Sequence, residues 1–384
     1  MKYNFDQSID RRETKSYKWD VDKDSLSFSV ADTDFLVADE ISDAINNRAK
    51  LATYGYTFVP DEYYEAYIYW WKHRYNLELK KEWFAFSTSI VASIDTILKR
   101  ITNKGDHVSL LSPNYNVFYN CILNNDLIIE EAPFGYDNYS YFIDWDLLEN
   151  AIKNSKVFIL CNPHNPIGMQ FKSDELKRIV ELCEKYGVYV LTDEIHCDLD
   201  YNKEKYVPLY SASNYSKIIM LVSPGKSFNL AGLHSSVVIT KNKELLQMIQ
   251  DGLYHDDVGE PSFFSIDPVI VAYTKCEQYV IEENEYIAKN RQILQDFIVK
   301  NDLKIQIVGG DATYLLWVDI SYYSNNSERF TDALFKEAKI KLCPGKMYHE
   351  HYSSFVRINI ATQSENIYKL CDGLKSFLDN YKEL

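Results

Sequence analysis

The amino-acid sequence predicts an α/β fold in which a mainly parallel sheet is covered by helices. Short apolar runs alternate along the chain with longer stretches of helical period, the pattern of strands joined by crossover helices. Polar side chains able to do chemistry fall directly after several of those runs, and ligands in open α/β sheets bind just beyond the carboxyl ends of strands. The length of 384 residues suits one large domain plus a smaller one.

The first strong element is a helix over 90–101, introduced by the cluster Ser87, Thr88 and Ser89, so that its unpaired first amides are available to an anion. Strands are expected at 108–111, 157–160, 188–191, 218–222 and 236–239, each a compact apolar run. Between them a helix over 173–186 starts at Ser173 and Asp174 and stops at Gly187, a residue suited to the left-handed conformation at a helix end. The polar stretch from 277 to 300 reads as a long helix leading from the sheet into a smaller C-terminal unit. The expected division is an N-terminal segment, 1–48, packing with the small domain, a large domain, 49–285, and a small domain, 286–384.

Composition narrows the function classes. The chain is 46% hydrophobic and 25% charged, that of an ordinary globular protein. A formal charge of -15 without a dense Lys/Arg block argues against nucleic acid or an anionic membrane as partner. Seven scattered cysteines with no CxxC pair indicate neither a disulfide framework nor a zinc site, and a cytoplasmic location fits them. No apolar leader opens the chain, and no stretch approaches the roughly 20 apolar residues of a membrane span. HExxH and GxGxxG are both absent, which removes the usual metal and dinucleotide signatures.

Four successive strand ends carry the loops SPNY (112–115), NPHNPIG (162–168), DEIH (193–196) and SPGK (223–226). Singly, each has a plain reading as a turn or cap. In order, they deliver a reactive amine, Lys226, and a carboxylate, Asp193, to one cleft. That pair suits pyridoxal phosphate, whose aldehyde takes a lysine as a Schiff base and whose ring nitrogen needs a carboxylate to stay protonated.

With these motifs and spacings the chain resembles the fold type I pyridoxal-phosphate enzymes, the aspartate-aminotransferase-like group. The resemblance implies a large domain with a mainly parallel seven-stranded sheet and a smaller α/β domain. It also implies roles. Lys226 carries the cofactor, Asp193 pairs with its ring nitrogen, Asn165 donates to its phenolic oxygen, and Tyr115 stacks on its face. Ser223 and the amides of Ile90 and Val91 hold the phosphate, joined by Tyr56, in YGYT, from a neighbouring subunit, which makes the active unit a homodimer. Arg357, in FVRINIA, grips the substrate α-carboxylate through a bidentate pair.

Three further stretches, IDRRETKSYKWD (9–20), VADTDF (30–35) and GDATYLLWVD (310–319), are similar to signatures of the cystathionine β-lyase branch typified by MalY and PatB. The resemblance then implies α,β-elimination from L-cystathionine or other cysteine S-conjugates, giving a thiol, pyruvate and ammonia. Two positions depart from many relatives of the wider group. His234 stands where an arginine often holds the phosphate, and His196 stands where a tyrosine often lies near the phenolic oxygen. Other readings are an aminotransferase of the same fold, a protein-binding role beside catalysis, and an SxxK serine acyl-transfer enzyme built on Ser223 and Lys226, which lacks the SDN and KTG companions.

Overall fold

The computed structural model describes residues 1–7, 9–201 and 206–381. Its centre is a seven-stranded sheet in the order Phe84–Ser87, Ser236–Ile239, Ile218–Val222, Tyr189–Asp193, Val157–Cys161, His107–Ser112 and Ile128–Pro133. Every pairing is parallel except those of Ser236–Ile239, which runs antiparallel to both neighbours. The five residues of Val157–Cys161 and of Ile218–Val222 are all buried. Continuous apolar runs of this kind are what a sheet covered on both faces demands.

The sequence expectations meet the structure with small shifts. Helix Ile90–Ile101 has the expected bounds, and Ser89 caps it by accepting the Ala92 amide at 3.1 Å. Helix Ser173–Tyr186 also agrees, ending on Gly187 at φ 71°. Its start is at Ser173 as expected, and Glu175 closes the first turn by accepting the Lys172 amide at 2.8 Å, a carboxylate reaching back three residues to that donor. The strand expected at 188–191 begins one residue later, since the Val188 amide is spent on the Cys183 carbonyl in the turn, and it continues through Asp193.

The 24-residue helix Glu277–Lys300 runs unbroken to a second, antiparallel sheet ordered Gln306–Val308, Leu315–Asp319, Phe355–Asn359 and Cys343–Pro344. The N-terminal segment ties these parts together. Glu282 accepts the amides of Lys2 and Tyr3, and strand Leu26–Ser27 pairs in parallel with Ile340–Lys341. Asn359 holds the carbonyls of Val30 and Asp32 at 2.6 and 2.7 Å. The VADTDF stretch is thereby fixed between the two sheets.

Candidate active site

The strand ends predicted to carry chemistry do meet in one cavity. Tyr115, Asn165, Asp193, His196, Ser223 and Lys226 line it, with Thr88, Ser89, Ile90 and Val91 at the start of helix Ile90–Ile101. Ser89 takes the amides of Ala92 and Ser93, which leaves those of Ile90 and Val91 for the cavity. This end carries the positive pole of the helix dipole.

Lys226 lies at the centre. Its amine donates to the Ala31 carbonyl at 2.5 Å, an acceptor it shares with the Tyr314 hydroxyl at 3.0 Å. Burial, reinforced by the nearby Arg357 cation, lowers its pKa to about 8 against the pull of Asp32 and Asp193. Asp193 is also buried, and desolvation raises it to about 7, opposed by the Ile195 amide at 3.0 Å and by Lys226. The carboxylate is thus short of positive partners, and a protonated ring nitrogen beside it would restore its charge. His196 is pushed well below its ordinary value, first by burial and then by Lys226 and Arg357, so the ring is neutral. Its Nδ1 has no partner among the described residues.

Arg357, on strand Phe355–Asn359, stands behind Asn165. Nη1 donates to the Asn165 side-chain oxygen at 3.1 Å and Nη2 to the Ser29 carbonyl at 2.9 Å, while Nε has no partner among the described residues. The guanidinium lies over the Tyr348 ring, 5.1 Å from its centroid. A buried cation with a free N–H is prepared for an incoming anion.

Two expectations, the place of His234 and the SxxK pairing of Ser223, need amendment. His234 is exposed, adopts φ 53° after a short 3-10 turn and does not line the cavity, so the turn aims it away. Ser235 and Ala231 line the wall instead. Ser223 lines the cavity, but its hydroxyl donates to the Ser235 carbonyl at 2.8 Å and accepts the Gly225 amide at 3.1 Å. With that proton committed and Lys226 bonded to Ala31, the SxxK reading has no nucleophile-base pair. Tyr56, expected to serve a neighbouring subunit, is fully exposed and lies outside the cavity of its own chain.

Sequence reasoning missed Ala31, whose contribution is a backbone carbonyl, and Tyr314, whose hydroxyl meets the same atom. Both lie in the branch signatures, so that pattern was the available signal. Arg11 bonds Asp32 and Asp34, and buried Lys18 bonds Asp34 at 2.9 Å. Thus the first signature braces the second against the amine.

The residues fit pyridoxal phosphate. An amine, an acid, an amide and a ring face converge from different strand ends, and free helix amides stand on one side. Gly225 permits the close backbone turn, since a Cβ there would lie 3.1 Å from Ser223 Oγ and 3.3 Å from the Ala231 Cα. Fold and site together define a fold type I pyridoxal-phosphate enzyme. More specifically, the chain belongs to the aminotransferase class I and II family, whose model matches residues 23–374. It is 31% identical over 382 residues to cystathionine beta-lyase PatB of Bacillus subtilis, with 97% of this chain and 98% of that protein covered. The PLP-bound C-S lyase of Staphylococcus hominis superposes with a TM-score of 0.92 at 31% identity, covering 98% of both chains. Cystalysin of Treponema denticola, which contains the same cofactor, gives 0.93 at 27% identity over 98% of this chain and 100% of that one.

Proposed function

We propose that this protein is a pyridoxal-phosphate-dependent carbon-sulfur β-lyase acting on L-cystathionine and other cysteine S-conjugates. The observation that carries the lyase reading is the Ala31 carbonyl 2.5 Å from the Lys226 amine. It brings the β-lyase signatures of the N-terminal segment onto the reacting group itself.

Lys226, Asp193, Asn165, Tyr115 and the amides of Ile90 and Val91 would hold the cofactor, which supplies an electron sink for negative charge developing at the substrate Cα. Arg357 anchors the α-carboxylate through its unpartnered Nε and a neighbouring N–H, fixing which Cα substituent faces Lys226. The Lys226 amine, with its pKa lowered to about 8, is matched to near-neutral proton transfer. It takes the Cα proton and returns one to the departing sulfur. Asp193 would keep its negative charge opposite a protonated ring nitrogen of the cofactor, and neutral His196 adds no repulsion toward the lysine. Burial of the whole set excludes bulk water and strengthens each interaction.

The active unit is a homodimer in which Tyr56 of one copy reaches the phosphate end of the other's site. The full exposure of Tyr56, together with that of Tyr54 and Phe58 in the same segment, supports this, because so many exposed aromatics on one stretch suit an interface. A cytoplasmic setting suits the seven free cysteines.

The test is an assay of the purified, cofactor-loaded protein with L-cystathionine. Equal amounts of pyruvate and thiol support the lyase. Amino transfer to a keto acid without thiol release would move the reading to aminotransferase.

A further inference from the structure

All seven cysteines are free and buried, yet Cys343 differs from the rest. It is the most exposed at 7%, against 0 to 4% for the other six. Strand register places it directly opposite Arg357. Its Sγ lies 3.7 Å from Arg357 Nη2 and 3.1 Å from the Ser29 carbonyl. Arg357 is itself only 5% exposed and its Nε has no partner among the described residues, so an anionic group is wanted within reach of the sulfur. On its other side Cys343 lines a groove of about 740 Å³ between the N-terminal segment and helix Ser327–Ala338, whose charged lining is Asp20, Asp22, Glu328, Asp332 and Lys341, with Asp22 paired to Lys339 and Glu328 to Lys346.

These features select one ligand chemistry. Arg357 suits a carboxylate, the groove carboxylates of Asp20 and Asp332 suit an ammonium, and a thiol between them suits a disulfide. Amino-acid disulfides carry all three groups. We infer that Cys343 is a thiolation site for amino-acid disulfides, guided by Arg357, that switches the enzyme off when its product thiol is oxidised. The inference rests on the assignment of Arg357 to the substrate carboxylate and of a thiol as product.

The step is thiol–disulfide exchange. The Cys343 sulfur attacks one sulfur of the ligand, the ligand's S–S bond breaks, and a new S–S bond joins one half to Cys343. The other half departs as a thiolate and takes up the proton lost by Cys343. The attached half occupies the space before Arg357 and excludes the substrate carboxylate. A reducing thiol reverses the exchange and restores turnover.

The test exposes the holoenzyme to L-cystine or to cystamine, a disulfide of similar length without carboxylates, and follows peptide mass and activity. L-Cystine is expected to add half a molecule to Cys343 about tenfold faster than cystamine does, the effect of one added charge-assisted contact. Activity falls in step and dithiothreitol restores it, whereas Cys343→Ser keeps whatever activity it had before treatment. No adduct at Cys343, equal labelling by cystamine, or an adduct without loss of activity each overturns the inference. The mass readout is independent of the reaction catalysed. A Cys343 adduct in a protein that makes no pyruvate from L-cystathionine would therefore sink the lyase reading alone, and pyruvate without an adduct would sink the switch alone.

Discussion

Arg357 Nη1 donates to the side-chain oxygen of Asn165 at 3.1 Å. One bond therefore links the residue assigned to the substrate carboxylate with one assigned to the cofactor. It also orients the Asn165 amide, since with its oxygen engaged the NH2 group is turned toward the cavity.

Arg357→Lys should accordingly reduce more than substrate affinity. A lysine supplies a point charge without the planar fork, so kcat/KM is expected to fall by about a hundredfold, or roughly 2.7 kcal/mol. Most of that fall should appear in KM. A variant with unchanged KM under steady-state assay would remove Arg357 from the carboxylate site.

The brace behind Ala31 gives a stability prediction. Lys18 is fully buried against Asp34, itself nearly buried. Removing one partner strands the other charge, at a typical cost of about 3–5 kcal/mol. Arg11 and the Trp19 indole also contact Asp34, at 3.2 and 2.7 Å, so Lys18→Met is expected at the low end of that range. Denaturant unfolding of the wild type and variant measures it, and a difference below about 0.5 kcal/mol, the size of an ordinary surface change, would contradict the brace.

Glu283 offers a pH dependence with a definite sign. It is fully buried on helix Glu277–Lys300, and neither carboxyl oxygen has a partner among the described residues. Burial first, and Asp198 second, hold its pKa well above the ordinary 4.5. The folded state thus keeps a proton that the unfolded state releases. Its contribution to stability is complete below pH 4.5 and shrinks as pH rises toward the folded value. Glu283→Gln removes that loss, so its Tm advantage over wild type should be larger at pH 8 than at pH 5. Equal differences at both pH values would show that Glu283 does not titrate anomalously.

The dimer proposal is open to complementation. Lys226→Ala and Tyr56→Leu should each be nearly inactive alone. Mixed and allowed to exchange subunits, they form sites that combine intact Lys226 from one chain with intact Tyr56 from the other, and activity should return. Absence of recovery in a mixture shown by mass to contain heterodimers would place Tyr56 in its own subunit's site or outside any site.

Much of this was legible in the sequence because it depends on local pattern. Continuous apolar runs fixed the buried strands, and the polar residues following them fixed the loops, so Asp193, Asn165 and Lys226 were found together. Helix Ile90–Ile101 was readable from the cluster Ser87, Thr88 and Ser89, the last of which caps it. What escaped detection depends on backbone paths or long-range packing. The role of Ala31 rests on a carbonyl, which no residue type announces. His234 is turned outward by a left-handed residue at φ 53°, and nothing in its neighbours' side chains foretells that. Cys343 acquires its meaning only when strand pairing sets it opposite Arg357.

The most direct test of the central claim couples two readings on one sample: the absorbance of bound pyridoxal phosphate and the products formed from L-cystathionine, for wild type and Lys226→Ala. The account predicts a yellow wild-type protein that releases thiol and pyruvate in equal amounts, and a Lys226→Ala variant that releases neither. A Lys226→Ala protein that still turned over L-cystathionine, or a wild type that bound the cofactor yet released no thiol, would contradict it.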